Sequence, residues 1–334
     1  MAYGHLSVEY KKVTEETMKK LLISAAMSAA LFAAGTATAQ EKIMISDPNW
    51  NGARAVGHVI KAIVTDQMGG EAEILTGMNQ QPVIFAGMDK GDGSIDVHPD
   101  MWMPNWQSAW DQYVDGNGTV KTNAGYAGTS KLYVPSYMAD QLKSIEDLKD
   151  PEVAAMFDTD GDGLGEYWAG DVTWASTKRW QIKFKSYGLD QYWEPNVISG
   201  DTFKAGLAAA YAASQPQLFY YWTPEALHVQ YDLTALDEPA RFDGCEDLDL
   251  AAENWLEVSE FECAGSAATV YIAYSASLEQ RNPAVAAMLS RMQLTGDEIG
   301  LWIQEMFENK RDPAEVAEEW ISENQALVNS WING

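Results

Sequence analysis

The stretch EKIMISDPNWNGARAVGHVIKAIVTDQMGGEAEILTG, residues 41–77, decides the fold class. It predicts a strand at Lys42–Ser46, a helix at Ala53–Met68 with apolar residues at helical spacing, and a second strand within 71–77. Gly69 and Gly70 mark the end of the helix. A strand, a helix and another strand in this order are typical of a mostly parallel sheet with helices on its faces.

The same alternation continues along the chain. A short helix within NQQPVIFAGMDKGD and a strand within SIDVHPDMW follow, and a second alternating unit begins near Gly128. We therefore predict an α/β protein of two lobes, each a mostly parallel sheet flanked by helices. Residues 41–128 and 240–334 form the predicted lobe 1, and residues 129–239 form lobe 2.

The N-terminal residues carry a predicted export signal. MKKLLISAAMSAALFAAGTATAQ, residues 18–40, has two lysines, an apolar run and the small-residue cleavage pattern Ala37-Thr38-Ala39. Residues 1–17 are interpreted as an upstream extension. Neither the apolar run nor any later segment makes a good membrane span. We expect a soluble, exported protein whose signal peptide is cleaved near Ala39.

The chain is strongly acidic. It has 49 acidic and 22 basic residues and a formal net charge of −27. Residues 1–40 contribute four Lys and three Glu, or +1, so the remainder carries −28. This charge argues against nucleic acid or an anionic membrane surface as a partner. It attracts cationic ligands at long range, and adaptation for solubility or high salt is the plainer explanation.

Two cysteines, Cys245 and Cys263, lie 18 positions apart. In an oxidising compartment such a pair predicts a disulfide. In the loop-entropy account, this cross-link stabilises the fold by about 3 kcal/mol.

A tryptophan stands two residues before a proline at two predicted strand ends. The motifs are DMWMP, with Trp102 and Pro104, and YYWTP, with Trp222 and Pro224. Proline favours an extended predecessor and is well placed as the first residue of a helix, which makes Thr223 a predicted N-cap. Because ligands of open α/β sheets bind beyond the carboxyl ends of the strands, both corners belong to the predicted binding edge.

Two further tryptophans fit the same description. Trp174 ends GDVTW, and Trp50 follows the first strand in SDPNW. Four such residues predict an aromatic box, which is the usual way to hold a quaternary ammonium group. The plainer interpretation is packing at the sheet ends, since a chain with 13 tryptophans must bury some of them in its core.

The segment FDTDGDGLGEYW, residues 157–168, matches the first half of a calcium-binding loop. The predicted ligands are the side chains of Asp158, Asp160, Asp162 and Glu166 and the carbonyl of Leu164. Ala169 stands where an EF-hand has its bidentate Glu, so this is not an EF-hand, although Asp171 offers a substitute. We predict a structural Ca²⁺; the alternative is an acidic surface turn.

Signatures of the common enzyme families are absent from the sequence. It has no G-x-S-x-G, H-E-x-x-H, phosphate-binding glycine loop or paired C-x-x-C. Of the four scattered histidines, His98 lies nearest to the Trp102 corner in sequence and is a candidate for the site. We expect no catalytic activity and no cofactor for catalysis.

At FYYWTP, DMWMP, FDTDGDG and DVTW the chain resembles the periplasmic substrate-binding proteins of ABC importers for glycine betaine and related methylated amines. The resemblance implies the two-lobe fold of type II binding proteins, closing on the ligand about a hinge. It also implies a monomer that delivers a small methylated amine to a membrane permease.

The resemblance assigns site residues by motif position. Trp102, Trp174 and Trp222 would form the cage, with Trp50 as a fourth wall. The backbone N–H groups at Ala175 and Ser176 would hold the ligand carboxylate, although some relatives have Gly-Cys at these two positions.

Because Ala175-Ser176 stands where some relatives have Gly-Cys, the sequence leaves several candidate ligands. They are trimethylamine N-oxide, glycine betaine, dimethylsulfoniopropionate and choline. A sugar-binding protein of an importer, or a secreted glycosidase-like enzyme, is the alternative function, because tryptophan also stacks on sugar rings.

Overall fold

The computed structural model describes residues 41–334, which form one compact unit. The predicted signal peptide and upstream extension lie outside the described residues. Twelve strands are present in this part of the chain: β1 Ile43–Ser46, β2 Ala72–Leu75, β3 Val97–Met103, β4 Val120–Thr122, β5 Tyr126–Pro135, β6 Gly165–Trp168, β7 Trp193–Asn196, β8 Phe219–Thr223, β9 Leu233–Ala235, β10 Glu246–Asp247, β11 Glu260–Phe261 and β12 Ala268–Ser275.

The α-helices of the same residues alternate with these strands and then follow them. They are α1 Asn51–Ala62, α2 Gln81–Lys90, α3 Gln107–Ala109, α4 Pro151–Ala154, α5 Ala175–Ser186, α6 Gly200–Ala212, α7 Leu227–Gln230, α8 Trp255–Val258, α9 Leu278–Arg281, α10 Pro283–Arg291, α11 Gly296–Ile303, α12 Pro313–Glu323 and α13 Gln325–Asn333. Wider π turns at Ile63–Gln67, Trp110–Gly116 and Gln304–Glu308 extend α1, α3 and α11, and 3₁₀ turns occur at Ser136–Met138 and Ile145–Lys149.

The sheet consists of two similar halves. Strands β2, β1 and β3 run parallel in that order, and β7, β6 and β8 repeat the arrangement. Between them lie β12, antiparallel to β3, and β5, antiparallel to β8. Strands β5 and β12 pair with each other, so the two parallel sets belong to one continuous sheet. The predicted α/β fold with two lobes is confirmed.

Strand β5 passes from one half to the other. Its residues 126–128 pair with β12, and its residues 129–133 pair with β8. We call β1–β4, β12 and the start of β5 the first half, and the rest of β5 with β6–β9 the second half. The C-terminal helices α11 and α12 pack against α1 of the first half. The predicted lobe boundaries themselves stay a prediction, because residues 41–334 form one compact unit.

The predicted disulfide between Cys245 and Cys263 is present. Both cysteines are buried with Phe261 against Ile182 of α5, so the cross-linked segment rests on the second half. Within residues 41–334, no helix is both long and apolar enough to cross a membrane.

The strand-to-helix corners differ from their prediction. The proline does not begin the helix in either motif, because α3 starts at Gln107 and α7 at Leu227, three residues after Pro104 and Pro224. Both X-Pro bonds are cis. Thr223 is therefore not an N-cap; its hydroxyl lies 2.6 Å from that of Thr129 on β5, where strand pairing brings the two residues together.

Candidate ligand-binding site

Two of the predicted tryptophans occupy the N-cap position of a helix. Trp50 precedes α1 in the first half, and Trp174 precedes α5 in the second half. Neither side chain caps its helix, and both backbones are extended there. Trp174 does not end a strand as predicted: β6 ends at Trp168, and a five-residue loop separates it from Trp174.

The other two tryptophans lie near the ends of strands. Trp102 is the penultimate residue of β3, and Trp222 is the penultimate residue of β8. Gly128 makes the position of Trp102 sterically possible, because a Cβ there would lie 2.6 Å from the indole ring. Each half therefore supplies one tryptophan from a helix start and one from a strand end.

All four indoles line one cavity between the two halves, with an empty volume of about 470 Å³. The backbone at the start of α5 also reaches it. The lining residues are Trp50, Gln81, Trp102, Asn105, Trp106, Ser130, Trp174, Ala175, Ser176, Tyr220 and Trp222. The structure thus brings the six residues predicted for the ligand site to one place, and their role in binding stays a prediction.

Five of the lining residues were missed from the sequence. Trp106 lies two residues after the DMWMP motif, and Tyr220 stands two positions before Trp222, on the same face of β8. Those two carried a readable signal. Gln81, Asn105 and Ser130 gave none, because a single polar residue in a loop or strand has no periodic pattern.

The indole rings meet as perpendicular walls. Trp174 makes an angle of 88° with Trp222 at a ring-centroid distance of 5.2 Å, and 85° with Trp50 at 6.3 Å. Edge-to-face contact of this kind is favourable for aromatic rings. Trp222 is in turn stacked on Tyr221, at 4.3 Å and 20°. Walls at right angles bound a compact space on several sides, as a box requires.

A buried carboxylate holds the two tryptophans of the first half. Oδ2 of Asp100 accepts hydrogen bonds from Trp50 Nε1 at 2.5 Å and Trp102 Nε1 at 3.0 Å, and Oδ1 accepts one from the Tyr126 hydroxyl. Burial raises the pKa of Asp100, and the three hydrogen bonds oppose that rise. Asp100 therefore orients two walls and places an acidic group directly beside the cavity.

The second half is tied to the first through a cage residue. Trp174 Nε1 donates a hydrogen bond of 2.8 Å to Oδ1 of Asn49. Asn49 has φ 69°, a left-handed conformation that asparagine tolerates better than most residues. This bond joins the two halves beside the cavity.

The start of α5 offers hydrogen-bond donors to the cavity. The first N–H groups of a helix have no partner within the helix, and the helix dipole favours negative charge there. Ala175 and Ser176 are the first two residues of α5, and both line the cavity. The Ser176 hydroxyl is already 2.8 Å from the hydroxyl of Tyr220. The backbone of this turn thus suits an anionic or oxygen-bearing group.

A second, polar cavity adjoins the first, with Trp50, Trp174 and Trp222 as shared walls. Glu225 lines it and is itself buried. Burial raises the pKa of Glu225 to about 7, while Lys204 and the Ala226 N–H lower it and the charges of Glu308 and Asp100 raise it further. This carboxyl lacks the side-chain donors that Asp100 has among the described residues; its one hydrogen bond comes from the Ala226 N–H.

His98, the histidine nearest to the Trp102 motif, lies behind the cavity wall. It is fully buried, and its ring centroid is 6.2 Å from that of Trp50. Burial lowers the pKa of His98 to about 3, so the imidazole is neutral. His98 Nε2 lies 2.6 Å from Oε1 of Gln81, which does line the cavity.

The acidic loop after α4 folds around its own backbone. Asp158 accepts hydrogen bonds from the N–H groups of Gly161 and Gly163, at 2.6 and 3.0 Å, and Gly163 has φ 97°, a conformation that favours glycine. Oxygen atoms of Asp158, Asp160 and Glu166 lie within 4.8 Å of one another.

Strand β7 brings one more carboxylate to this loop. Glu194 pairs with Glu166 across β6 and β7, and one of its oxygens lies within 4.8 Å of oxygens of Asp160 and Asp162. Desolvation, followed by the charges of the loop carboxylates, raises the pKa of Glu194. A set of hard oxygen ligands is the donor chemistry that Ca²⁺ prefers, so the residues fit the predicted ion.

Comparison with known proteins gives consistent results. Residues 41–323 match the OpuAC family, described as the substrate binding domain of ABC-type glycine betaine transport systems. The glycine betaine/proline betaine-binding periplasmic protein of Escherichia coli K12 is 25% identical over 205 residues. That alignment covers 58% of this chain and 61% of the relative, so the chain spans about three fifths of the relative's length.

Solved structures share the fold. The glycine betaine/L-proline-binding protein ProX of Borrelia burgdorferi superimposes with a TM-score of 0.69 and 19% identity, covering 87% of this chain and 97% of that one. An ABC-transporter choline-binding protein in complex with choline gives a TM-score of 0.67 and 19% identity, covering 88% and 92%. Proteins named for different ligands thus fit almost equally well, so the ligand must be argued from the cavity itself.

Proposed function

The chain belongs to the OpuAC family of substrate-binding domains of ABC-type glycine betaine transport systems, and from that premise we propose that it captures a quaternary or fully methylated amine for import. The ligand class is trimethylamine N-oxide or glycine betaine. The observation that carries the proposal is the convergence of Trp50, Trp102, Trp174 and Trp222 on one cavity between the halves.

The chemistry of the cavity suits such a ligand. A methylated cation has no N–H donor, so it is held by the faces of aromatic rings, each desolvated contact being worth on the order of 2 kcal/mol. Asp100 and Glu225 add acidic groups behind the rings, which favour the positively charged, methylated nitrogen of the ligand. The N–H groups of Ala175 and Ser176 would receive the oxygen-bearing end.

Ligand capture would shift an open–closed equilibrium. The tryptophans come in pairs from the two halves, so a ligand makes all of its contacts only when the halves are closed around it. The E. coli relative is named for glycine betaine, which supports that ligand. Trimethylamine N-oxide is the second candidate, because its single oxygen needs only the backbone donors that Ala175 and Ser176 offer.

The deciding experiment is a ligand panel monitored by tryptophan fluorescence and calorimetry. We expect saturable binding of trimethylamine N-oxide or glycine betaine with a large change in fluorescence, and no binding of maltose. Binding of maltose in place of both methylated amines would contradict the proposal. The ligand should be recovered chemically unchanged, as NMR of the filtrate would test, because we propose a binding protein and not an enzyme.

We further propose the cellular setting. The relative from E. coli is a periplasmic protein, and the predicted signal peptide would place this chain in the same compartment after cleavage near Ala39. The partner would be the membrane permease of an ABC importer. Mass determination of the exported protein tests the cleavage position, and ligand uptake in a permease deletion strain tests the partner.

We also propose that the acidic loop holds a structural Ca²⁺ through Asp158, Asp160, Asp162, Glu166 and the Leu164 carbonyl, with Glu194 nearby. A bound ion would neutralise carboxylates that otherwise repel one another. Millimolar Ca²⁺ should raise the melting temperature of the chelator-treated protein, and Asp160→Asn should weaken that effect. An equal melting temperature with Ca²⁺ and with chelator would contradict the proposal.

A further inference from the structure

Gln81 is a buried amide at the wall of the cavity. It is the first residue of α2, is 2% exposed and lines the cavity beside Trp50 and Trp102. Its Nε2 is buried and has no hydrogen-bond partner within residues 41–334. A buried donor without a partner costs about 1–3 kcal/mol, so its presence beside a ligand cavity calls for an explanation.

The hydrogen bonds around His98 fix which way the amide points. The backbone N–H of Asp100 donates to His98 Nδ1 at 3.2 Å, so the proton of the neutral imidazole is on Nε2. His98 Nε2 is 2.6 Å from Gln81 Oε1 and donates to it. The opposite orientation of the amide would set two donors against each other. The oxygen of Gln81 is therefore occupied, and its NH₂ group is left over.

Two serines and a tyrosine of the wall are already engaged, and the remaining amide, Asn105, is only partly buried. The Ser176 hydroxyl bonds to Tyr220, and Ser130 Oγ accepts from Trp180 Nε1 at 3.4 Å. Gln81 thus stands apart among them as a buried donor whose capacity is unused. A ligand oxygen at the cavity wall would satisfy it.

We propose that the Gln81 amide donates a hydrogen bond to the oxygen of the bound ligand and so selects methylated amines that carry an acceptor oxygen. This inference rests on the proposed function, which it sharpens. Gln81 and the N–H groups at the start of α5 lie in different halves, so an oxygen-bearing ligand is held from both sides. A cation of the same shape without an oxygen leaves the Gln81 donor unpaired.

Two probes of nearly the same shape test this. Trimethylamine N-oxide and tetramethylammonium both present methyl groups around a tetrahedral nitrogen. They differ in one substituent, oxygen against methyl, and therefore also in net charge, zero against +1, so the comparison that counts is the change in preference between wild type and variant. In calorimetry with the mature protein, the wild type should prefer the N-oxide. Gln81→Leu should reduce that preference about tenfold, as expected for loss of one hydrogen bond in a desolvated site. Gln81→Glu should reduce it further, since a carboxylate repels the ligand oxygen.

The matched control is Gln280→Leu, an exposed glutamine on α9 away from the cavity, which should leave the preference unchanged. A preference within about twofold of wild type in both folded Gln81 variants would overturn the inference and leave the proposed function intact. Failure of the wild type to bind either probe would overturn this inference, and failure to bind glycine betaine as well would overturn the proposed function.

If the Gln81 variants fail to fold, NMR of the wild-type protein tests the same hydrogen bond. The side-chain ¹⁵N and ¹H resonances of Gln81 should move much more with trimethylamine N-oxide than with tetramethylammonium. Equal movement with both probes would contradict the hydrogen bond.

Discussion

The two halves place their tryptophans at equivalent positions and support them differently. In the first half, Trp50 and Trp102 both donate to Asp100, a buried carboxylate of the same half. In the second half, Trp222 rests on the ring of Tyr221, and Trp174 finds its acceptor, Asn49, across the cleft. The first pair is held within its own half, whereas the second pair is completed only when the halves meet.

This difference suggests that the two halves have different roles in the proposed capture of the ligand. Two charge-assisted hydrogen bonds hold the first pair whether or not the halves are closed. In the second half, Trp222 keeps its stacking on Tyr221 in either state, whereas Trp174 gains its hydrogen bond to Asn49 only when the halves meet. In the proposed mechanism the ligand would first bind to the preformed tryptophans of the first half. The second half would then close over it.

Removing one cage ring from either half should produce the largest effect. We expect Trp102→Ala and Trp222→Ala each to weaken ligand binding on the order of 100-fold or more, because each deletes a desolvated cation–π wall. Calorimetry measures the affinity, and circular dichroism checks the fold. Trp255→Ala is the matched control, since Trp255 packs against Lys178 outside the cavity. Unchanged affinity in both cage variants would end the cage hypothesis.

The support of the first half can be broken without removing a ring. Asp100→Asn keeps the size of the side chain but replaces one acceptor oxygen by a donor, which then faces an indole or phenol donor. We expect about tenfold weaker binding and a loss of about 1–3 kcal/mol in the free energy of unfolding.

A comparison variant in the second half is Tyr220→Phe, which deletes a neutral hydrogen bond at the cavity wall, to Ser176. It should cost about threefold in affinity, because neutral pairs are weaker than charge-assisted ones. Equal effects of the two variants would contradict the expectation that the charge-assisted bonds of Asp100 contribute more than this neutral bond.

Glu225, which lines the second cavity, should make the stability of the protein depend on pH. Its pKa of about 7 lies above the ordinary 4.5, so between those pH values the folded protein holds a proton that the unfolded chain has lost. Stability should therefore fall as pH rises through this window. Glu225→Gln should remove this loss of stability. At pH 8 its free energy of unfolding should exceed that of the wild type by up to about 3 kcal/mol.

Ligand binding should show the opposite trend. A fixed positive charge beside Glu225 lowers its pKa, so binding releases a proton and affinity increases as the pH rises through 7. Calorimetry in buffers of different ionisation enthalpy measures the released proton. A wild-type affinity that is flat between pH 5.5 and 8 would show that Glu225 does not sense the ligand.

The sequence predicted the strands and helices better than it predicted which side chains contact each other. Helical and alternating periodicity located the strands and helices of residues 41–77, and the repeated Trp-x-Pro motif located two residues that line the cavity. It misplaced the helix starts after Pro104 and Pro224, because a proline signals a break in the strand without specifying the conformation of the residues after it.

The residues that support the cage carry no local signal. Asp100, Asn49 and Gln81 are recognised as important mainly through contacts with residues distant in the chain. Examples are the contact of Gln81 with His98, 17 positions away, and that of Asn49 with Trp174, 125 positions away. Periodicity reports which face of an element is buried but not what it meets there. Such partners follow from the tertiary fold alone.

The hydrogen bond that joins the halves can be removed by a single substitution. Asn49→Gly removes the acceptor of Trp174 Nε1 and keeps the left-handed backbone, which alanine would strain. We expect the ligand off-rate in stopped-flow fluorescence to rise about fivefold, the equivalent of one neutral hydrogen bond, with the on-rate unchanged. Ser214→Gly is the matched control, because exposed Ser214 also has a left-handed backbone, at φ 52°. A lower on-rate with an unchanged off-rate would mean that Asn49 orders Trp174 before the ligand arrives, and the second pair would then be as preformed as the first.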